Sequence, residues 1–535
     1  MVTSSIVTVS THAVSETLGP SPPPPPSTPP SPKPNSLPHL DSFRMTSSSS
    51  SFDKKVVIVG AGLAGLSCAA KLLSTSSLVA PSDVVIVEAL DRPGGRTLTS
   101  LLPDTDEPVD VGACWVCPRQ KNVHRLLREH GLDVIEQQTS GVRVGVRSAG
   151  GLFGWISRAL GRETAPTEPL FTTLRGLPVL DLVQYSLLTR RVNRMARAIP
   201  IGRPWDAKGA EKLDSSSVMA WLEEEGAPNN STARGLMAAT AQSVFCADAS
   251  QISMLLFLTV VAEEGGVEVL LEEAQTQRVV QGNGTLSRRL AASLAERGVE
   301  IRLGAEVVEC SHSAKDGATV ATRDGARFRA RRVVLAVPPP ALAGLSLEPK
   351  LAGPLGAEVA AQRMGKVIKV VVEFAARWWE GAHCAMADPE VLTTTLAFDV
   401  SPLHASPPRH VLAIFFFGAK AEHWSATKTP EERREEAVRC ARLMFGEAAD
   451  QVPCEVVASV EGDWPAVPFI RGGYMSYPVL SSITQTQSYS SSVPQSCLHF
   501  ASTENASAWR GYMDGAIQSG ERAAAEVAEA LRTTT

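Results

Sequence analysis

Two lysines stand in a stretch of sequence that otherwise predicts a buried β-strand. Residues 362–374 read QRMGKVIKVVVEF, in which Lys366 and Lys369 lie among apolar residues. A buried ammonium group is costly unless it is paired or used for chemistry. Successive strand side chains point to opposite faces, so lysines three positions apart face different sides. The stretch therefore predicts one lysine that serves a site and one that reaches solvent or an acidic side chain.

A glycine-rich turn near residue 60 has the residue types that hold a dinucleotide. KKVVIVGAGLAGLSCAAKLL predicts a strand, a turn containing Gly60, Gly62 and Gly65, and a helix. These glycines permit a tight turn, close approach of a pyrophosphate, and packing of the helix on the strand. The helix N-terminus offers N–H groups to the phosphates. Glu88, at the end of the next strand, is placed to accept hydrogen bonds from ribose hydroxyls, so the spacing predicts a bound dinucleotide.

Composition and cysteine usage exclude several other classes of protein. The nine cysteines are scattered and odd in number, unlike the disulfide framework of a secreted domain. Cys114 and Cys117 form a Cys-x-x-Cys without the partners of a zinc site, so no metal is expected, and a redox dithiol stays open. The net charge of −5 gives no reason to expect a nucleic-acid partner. The basic runs 190–197, with helical spacing, and 327–332, alternating like an edge strand, are expected to be solvated faces.

The elements that position these groups begin only at residue 53. Residues 1–52 are rich in Ser, Thr and Pro, which predicts a disordered tail or a plastid-type transit peptide. The Gly/Pro-rich passage of about 140–180 predicts an irregular connection between domains. The longest apolar run, 252–262, is too short to span a bilayer. We therefore expect two or three domains of a soluble protein with no integral membrane segment, in the cytoplasm or, with a transit peptide, in a plastid.

The segment after Glu88 carries a second glycine pair. RPGGRT (92–97), followed by VDVGACWV, resembles the FAD-binding N-terminus of the flavin-containing amine oxidase family, which is monoamine oxidase-like and shares a superfamily with polyamine oxidases. Matching stretches continue in the same order over about 53–530, including VVQGNGTLSRRLAASL and LHFASTENASAWRGYMDGAIQSGERAAAEV. The resemblance implies an α/β fold in which a Rossmann-like FAD-binding domain, of the glutathione-reductase type, is interleaved with an α+β substrate domain.

The resemblance also implies domain limits. The FAD-binding domain is expected to comprise residues 53–137, 273–350 and 466–535. The substrate domain is expected to comprise residues 138–272 and 351–465. The family places FAD in the first domain and the amine against the flavin in the second.

The residues expected to bind FAD follow from the matched motifs. Arg96 should contact the pyrophosphate as a bidentate donor, and the backbone of Val307 should hold the adenine. Thr503 and Glu504 should reach the flavin chain, beside a helix that begins near Gly511 and directs its N-terminal dipole at the ring. The full set is Gly60, Ala61, Gly62, Gly65, Glu88, Arg92, Gly95, Arg96, Thr97, Ala113, Val307, Trp464, Thr503, Glu504 and Met513.

The family resemblance assigns the opening lysines. In this family a Gly-x-x-x-Lys segment delivers a lysine that holds a water at flavin N5, and Gly365 to Lys369 has that spacing. Lys369 is therefore expected to position water and to promote oxygen reduction. The alternative is a buried cation that is satisfied without a catalytic role.

The amine is expected to lie between aromatic rings over the flavin. Tyr512 is retained as one of them, whereas Met475 stands at the position assigned to the other, with Tyr474 or Tyr477 as substitutes. Tyr474 is assigned to the position where animal monoamine oxidases carry a cysteine that tethers FAD, so FAD should be bound non-covalently. Ser502 replaces a family glycine and adds a side chain near the cofactor.

The implied activity is FAD-dependent oxidation of an amine to an imine, which hydrolyses to an aldehyde, with reduction of O₂ to hydrogen peroxide. The implied partners are a small-molecule amine and O₂. A polyamine oxidase often has an acid or histidine at the position of Cys117, so the cysteine favours a monoamine. An L-amino-acid oxidase would need an arginine for the carboxylate, and Arg119 and Arg471 remain candidates. A non-catalytic FAD-binding redox or scaffold protein also remains open because of Met475 and Ser502.

Overall fold

The part of the chain that the structure covers is discontinuous. A computed structural model describes residues 52–103, 107–137, 142–146, 170–173, 179–225, 231–379, 382–390, 392–402, 405, 407–445, 454–487 and 497–533. The predicted tail therefore lies outside the described residues apart from Phe52. Residues Phe52–Thr535 make up one unit.

The strands fall into two large sheets and three small ones. In chain order they are β1 Lys54–Val59, β2 Val84–Val87, β3 Thr99–Leu101, β4 Pro108–Asp110, β5 Trp115–Val116, β6 Val134–Glu136, β7 Val142–Val146, β8 Leu170–Thr173, β9 Gln277–Val279, β10 Glu300–Arg302, β11 Val307–Ser313, β12 Gly317–Thr322, β13 Arg327–Leu335, β14 Ser346–Glu348, β15 Gln362–Met364, β16 Val367–Phe374, β17 Cys384–Met386, β18 Leu396–Asp399, β19 His410–Phe417, β20 Val456–Asp463, β21 Ser476–Pro478 and β22 Leu498–Phe500.

The helices pack on and between these sheets. In chain order they are α1 Leu63–Thr75, α2 Lys121–Glu129, α3 Val179–Ala196, α4 Ala210–Ser215, α5 Val218–Glu224, α6 Thr232–Phe245, α7 Met254–Glu264, α8 Asn283–Glu296, α9 Pro339–Leu342, α10 Gly353–Ala361, α11 Gly418–Thr427, α12 Pro430–Phe445, α13 Ser482–Thr486 and α14 Met513–Thr533. None of the described helices is long and apolar enough to cross a membrane.

The first large sheet carries the glycine-rich turn. Its order is β10-β2-β1-β13-β12-β11-β14, and β22 pairs with β13. Strands β10, β2, β1, β13 and β22 are parallel to their neighbours in this part of the sheet. Such strands are buried on both faces, which explains the continuous apolar run of β1. The glycine turn follows β1, so it lies at the carboxyl edge of the parallel strands, where open α/β sheets bind ligands.

Helix α14 packs against α1, the helix that follows the glycine turn. The contact is close because Gly520 has no side chain: a Cβ there would lie 2.1 Å from the carbonyl oxygen of Ala64. The N-terminus of α14 therefore meets the same cavity as the N-terminus of α1.

The second large sheet carries Lys369. Its order is β20-β16-β19-β18-β17-β7-β8, and β16, the strand next to the edge strand β20, is buried along its whole length. Lys369 is paired with Phe415 on β19 and with Gly462 on β20. A Cβ at Gly462 would lie 2.6 Å from the carbonyl oxygen of Val111, so this glycine lets the segment after β4 approach the sheet.

Three sequence predictions differ from the structure. Residues 362–374 form two strands rather than one, because the chain breaks at Gly365 and Lys366 between β15 and β16. The run 327–332 is not an edge strand, since β13 pairs with both β1 and β12. The passage 140–180 contains β7, β8 and the start of α3, so it is not wholly irregular, although much of it lies outside the described residues.

Candidate active site

A cavity of about 610 Å³ begins at the glycine turn. Gly60 has φ +105°, and a Cβ there would lie 2.5 Å from the carbonyl oxygen of Ala336, so only glycine fits this turn. A Cβ at Gly65 would lie 2.1 Å from the Gly60 carbonyl oxygen, which is the close helix–strand packing that the sequence predicted. Gly62 differs, because a Cβ there would meet nothing within 4 Å. It leaves open space at the N-terminus of α1, as a phosphate group requires.

Glu88 lies at the end of β2 and lines the same cavity. Its carboxylate accepts hydrogen bonds from the backbone N–H of Ala61 at 2.6 Å and of Leu90 at 2.8 Å. Burial raises the pKa of Glu88, although these N–H groups oppose the rise. The carboxylate oxygens can accept further hydrogen bonds, so the predicted contact with ribose hydroxyls fits. Ala61 itself is fully buried and is not among the lining residues.

The two arginines of RPGGRT have structural partners. Arg92 donates to the carbonyl oxygens of Pro93, Gly95 and Thr97 and so closes its own loop. It does not line the cavity. Arg96 does line the cavity. Its guanidinium makes its bidentate contact with the Glu504 carboxylate, at 2.7 and 3.1 Å, whereas the sequence predicted such a contact with the pyrophosphate.

Arg96 and Glu504 join distant parts of the chain. Burial opposes ionisation of Glu504, but Arg96 keeps the pKa of this carboxyl below its usual value. Arg96 also donates to the carbonyl oxygen of Tyr474 at 2.7 Å, and Glu504 accepts from the N–H of Ser476 at 2.9 Å. The pair therefore fixes the segment around Tyr474, and Glu504 is placed behind the cavity wall instead of at the flavin chain.

Most of the other predicted cofactor residues do line the 610 Å³ cavity. They are Gly95, Thr97, Ala113, Val307, Thr503 and Met513. Ser502 also lines it, with its hydroxyl turned to the Asn505 side chain at 2.8 Å. Trp464 is the exception, because it lines the neighbouring cavity and donates to the carbonyl oxygen of Val111 at 2.9 Å.

A second cavity of about 220 Å³ adjoins the first. The two share a wall, which we call the shared wall. Its residues are Arg96, Ala113, Tyr474, Gly511, Tyr512 and Met513. A dinucleotide that starts at the glycine turn and reaches α14 must end its ring system at this wall. The 220 Å³ cavity, which we call the amine cavity, lies beyond it.

Lys369 lines the amine cavity and is 2% exposed. Its Nζ donates to the carbonyl oxygen of Gly112 at 3.3 Å and contacts the Cys114 thiol. Nζ also lies 5.3 Å from the ring centroid of Trp115 and 5.5 Å from that of Phe415. The rings compensate part of the cost of burying the cation. An ammonium has three donors, so within the described contacts Lys369 keeps capacity to hold a water.

Lys366 reaches an acidic side chain as predicted, but from the break between β15 and β16 and not by strand alternation. Its Nζ donates to the carbonyl oxygen of Arg471 at 3.1 Å and forms an ion pair with Glu422 at 3.2 Å. It does not line the amine cavity. The two lysines are therefore separated as the sequence required.

The residues predicted to hold the amine lie in different places. Tyr512 and Tyr474 both lie in the shared wall. Met475 lines neither cavity and is buried in a core cluster with side chains of helices α6 and α7. Tyr477 also lies elsewhere and donates to the Gln251 side chain at 3.3 Å. Of the residues predicted for the second ring, Met475, Tyr474 and Tyr477, Tyr474 is the one that lies in the shared wall, directly after Gly473. Neither residue carries a thiol that could tether FAD.

Several lining residues were missed from the sequence. Trp115, Phe398 and Phe415 form an aromatic group, with 4.6 Å between the ring centroids of Trp115 and Phe398 and 6.0 Å between those of Trp115 and Phe415. The side chain of Gln275 also lines the cavity, and its Oε1 is buried without a hydrogen-bond partner in the described structure. Trp115 lies in the quoted VDVGACWV, but an aromatic residue in a strand more often indicates core.

The residues that the sequence suggested as binding partners for a second charged group of the substrate do not belong to the described lining of the amine cavity. Arg119 pairs with Glu273 at 3.5 Å and is half exposed. Arg471 lines the 610 Å³ cavity at the glycine turn, which we call the cofactor cavity. Cys117 is buried beside Trp509 and Tyr512. No Asp or Glu is found among the described lining residues. In the described residues, no group of three or more His, Cys, Asp or Glu side chains could hold a metal ion.

Comparison with known proteins gives the class that this site defines. The family model described as flavin containing amine oxidoreductase matches residues 63–528. The chain belongs to the flavin-containing amine oxidoreductase family.

Its relatives agree. The chain is 31% identical over 481 residues to a Mycobacterium tuberculosis protein named as a flavin-containing monoamine oxidase, AofH, with 89% of this chain and 97% of that protein covered. It is 28% identical over 501 residues to the flavin-containing amine oxidase A of Bos taurus, with 92% and 88% covered.

Solved structures share the fold. An engineered putrescine oxidase matches with a TM-score of 0.75 and 26% identity, covering 89% of this chain and 98% of its own. The cyclohexylamine oxidase of Brevibacterium oxydans matches with a TM-score of 0.75 and 24% identity, which shows the fold alone.

These findings confirm the predicted family, the mixed α/β fold and the general activity. The chain is an oxidoreductase that acts on amines, with FAD bound non-covalently as its cofactor and O₂ as the electron acceptor.

Proposed function

We propose that this enzyme oxidises a small apolar monoamine, held in the amine cavity between Tyr474 and Tyr512. The observation that carries the proposal is the lining of that cavity, in which apolar and aromatic side chains dominate and no described residue is acidic. A substrate with a second ammonium group would leave that charge without a carboxylate partner, which is costly in an apolar site.

Support for the roles of individual residues comes from their contacts. When bound, FAD would supply the oxidising chemistry by accepting one hydride equivalent, which is two electrons and a proton, from the carbon next to the amine nitrogen. Tyr474 and Tyr512 orient the amine at the shared wall, and the apolar lining favours the neutral amine, which has a lone pair to donate. Lys369 holds a water near the reacting atoms and contributes positive charge where O₂ is reduced.

We also propose the domain limits that the resemblance implied. FAD binding belongs to residues 53–137, 273–350 and 466–535, and amine binding to residues 138–272 and 351–465. Every strand of the first large sheet falls within the first set, and every strand of the second large sheet falls within the second. The two-stranded sheet of β15 and β21 joins the two sets of residues, because β15 belongs to the second set and β21 to the first.

The experiment compares three amines of similar length: butylamine, putrescine and 4-aminobutyrate. Peroxide release from the purified holoenzyme should give a kcat/KM for butylamine that exceeds the other two by roughly 10- to 100-fold, because an unpaired charge costs about 1–3 kcal/mol. A preference for putrescine would favour a polyamine-type oxidase, and a preference for 4-aminobutyrate would show that a cation of the lining, such as Arg510, binds the substrate carboxylate. A protein that holds FAD but releases peroxide with none of a wider set of amines would favour the non-catalytic alternative.

A further inference from the structure

The loop between β22 and α14, residues 503–513, brings Gly511 and Tyr512 to the shared wall. Within the loop, the Thr503 hydroxyl accepts from the Gly511 N–H at 2.8 Å and donates to the Tyr512 carbonyl oxygen at 2.9 Å. These bonds shape the loop but do not attach it to the helices on the amine side. That attachment comes from helix α7.

The last two residues of α7 are acidic and both are buried. Glu263 lies beside Arg510, with 3.4 Å between Oε2 and Nε and 3.5 Å between Oε1 and Nη2, and the two side chains are 1% and 5% exposed. Arg510 also donates to the carbonyl oxygens of Glu504 and, at 2.8 Å, of Ala506. One guanidinium thus holds two loop carbonyls and one helix carboxylate. Since these donors are committed to the protein, Arg510 is a poor partner for a substrate carboxylate, although it lines the amine cavity.

The neighbouring Glu264 holds Trp509, the loop residue directly before Arg510. Its Oε1 accepts from the Trp509 N–H at 2.5 Å. The Trp509 ring lies edge-on to the ring of Tyr512, with 5.3 Å between centroids and an angle of 87°. A shift of the Trp509 backbone therefore moves the ring against which Tyr512 packs. The two carboxylates form one device, which we call the acidic clamp and define as Glu263 and Glu264.

We propose that Glu263 and Glu264 are positioning residues for amine oxidation, which hold Tyr512 in the shared wall through Arg510 and Trp509. The proposal rests on the proposed role of Tyr512 in orienting the amine. It predicts that a change at α7, outside both cavities, alters the reaction at the flavin.

The test uses Glu263→Gln in the holoenzyme, with Arg433→Met as a matched control. Arg433 has surroundings like those of Arg510, because it donates to the carbonyl oxygens of Trp424 and Lys428 and to the Glu461 carboxylate. Unlike Arg510, it lines neither cavity. Both variants should lower the melting temperature. Only Glu263→Gln should slow anaerobic flavin reduction by the amine, by roughly 10- to 100-fold because of a displaced ring.

A second measurement does not depend on turnover. Visible circular dichroism of bound FAD reports the asymmetry around the flavin, so it should change in Glu263→Gln and stay at the parent spectrum in Arg433→Met. If both readouts in Glu263→Gln match the control, the clamp serves stability alone and the proposal is wrong. Should Glu263→Gln fail to fold, Glu264→Gln removes the other carboxylate of the clamp, also outside both cavities, and the same two measurements test the proposal. If the parent oxidises no amine, the proposed function fails, while the dichroism still tests the positioning.

Discussion

The two cavities that meet at the shared wall are built in different ways. At the glycine turn, the cofactor cavity is defined by backbone: a turn that only Gly60 can adopt, the open face of Gly62 and the N-termini of α1 and α14. The amine cavity is defined by large side chains such as Trp115, Phe398 and Phe415. A side chain added in the cofactor cavity should therefore change the affinity for FAD. A side chain changed in the amine cavity should change which amine reacts and how fast.

The largest effect is expected on the amine side, at Lys369. Lys369→Met keeps the length of the side chain and removes its charge and donors, so reoxidation of the reduced enzyme by O₂ should slow by roughly 10²–10³-fold. FAD content should be unchanged, because Lys369 does not line the cofactor cavity. Stopped-flow mixing with O₂ measures the rate. Lys366→Met is the control: Lys366 pairs with Glu422 and lines the cofactor cavity but not the amine cavity, so its rate per bound flavin should stay near that of the parent. Equal rates in both variants and the parent would show Lys369 to be a buried cation without a catalytic role.

The next effect concerns the acidic clamp and its pH dependence. Burial raises the pKa of Glu264 from 4.5 to about 8, and the nearby charges of Glu263 and Asp514 add to the rise while Arg510 opposes it. Between pH 4.5 and 8 the folded protein retains a proton that the unfolded chain releases, so the free energy of unfolding falls as pH rises and levels off above pH 8.

Glu264→Gln should remove that slope, which we expect to amount to about 1–3 kcal/mol after allowing for coupling with its neighbours. Urea unfolding of the holoprotein at pH 5.5, 7 and 8.5 measures it. A slope that persists in the variant would show that Glu264 is already ionised in the folded protein.

A smaller effect is expected on the cofactor side, at Gly62. A Cβ at this position meets no protein atom within 4 Å, so Gly62→Ala should fold like the parent. The methyl group would instead occupy the space left for a phosphate, and FAD affinity should fall by about tenfold, or about 1.4 kcal/mol. Fluorescence titration of the apoprotein with FAD measures the affinity, and its melting temperature without FAD is the control. Unchanged affinity would mean that the phosphate does not approach the turn here.

The smallest effect is expected from removal of residues 2–51. The residues that line the two cavities lie between Val59 and Ala516, and the composition of the first 51 residues cannot support a core. Flavin content, melting temperature and kcat/KM should equal those of the full chain. A truncated protein that loses FAD would show that the tail contributes to one of the cavities.

The same contrast explains what the sequence could predict. The glycine turn, Glu88 and the lysine at four residues from Gly365 follow from fixed spacings, because backbone geometry dictates the residue types there. The lining of the amine cavity comes from at least β5, α6, β18, β19 and the loop before α14, and no local pattern brings these segments together.

The errors have physical causes as well. RGGYMSY contains two consecutive glycines, so sequence alone does not decide whether Tyr474 or Met475 faces the cavities, and the structure places Tyr474 there. The alternation of 327–332 was interpreted as an edge, but a strand inside a sheet also alternates when Phe328, Ala330 and Arg332 face inward. Sequence also does not reveal the protein partners of Arg92 and Arg96, which are loop carbonyls for the first and the Glu504 carboxylate for the second.

The shared wall has a consequence for anyone who wishes to alter the range of amines accepted. Tyr474 and Tyr512 face both cavities, so exchanging either one should change cofactor retention and substrate choice in the same step, and the two outcomes could not be selected separately. Leu236 and Met386 border the amine cavity alone. A library confined to such positions should explore new amines while every member keeps its flavin.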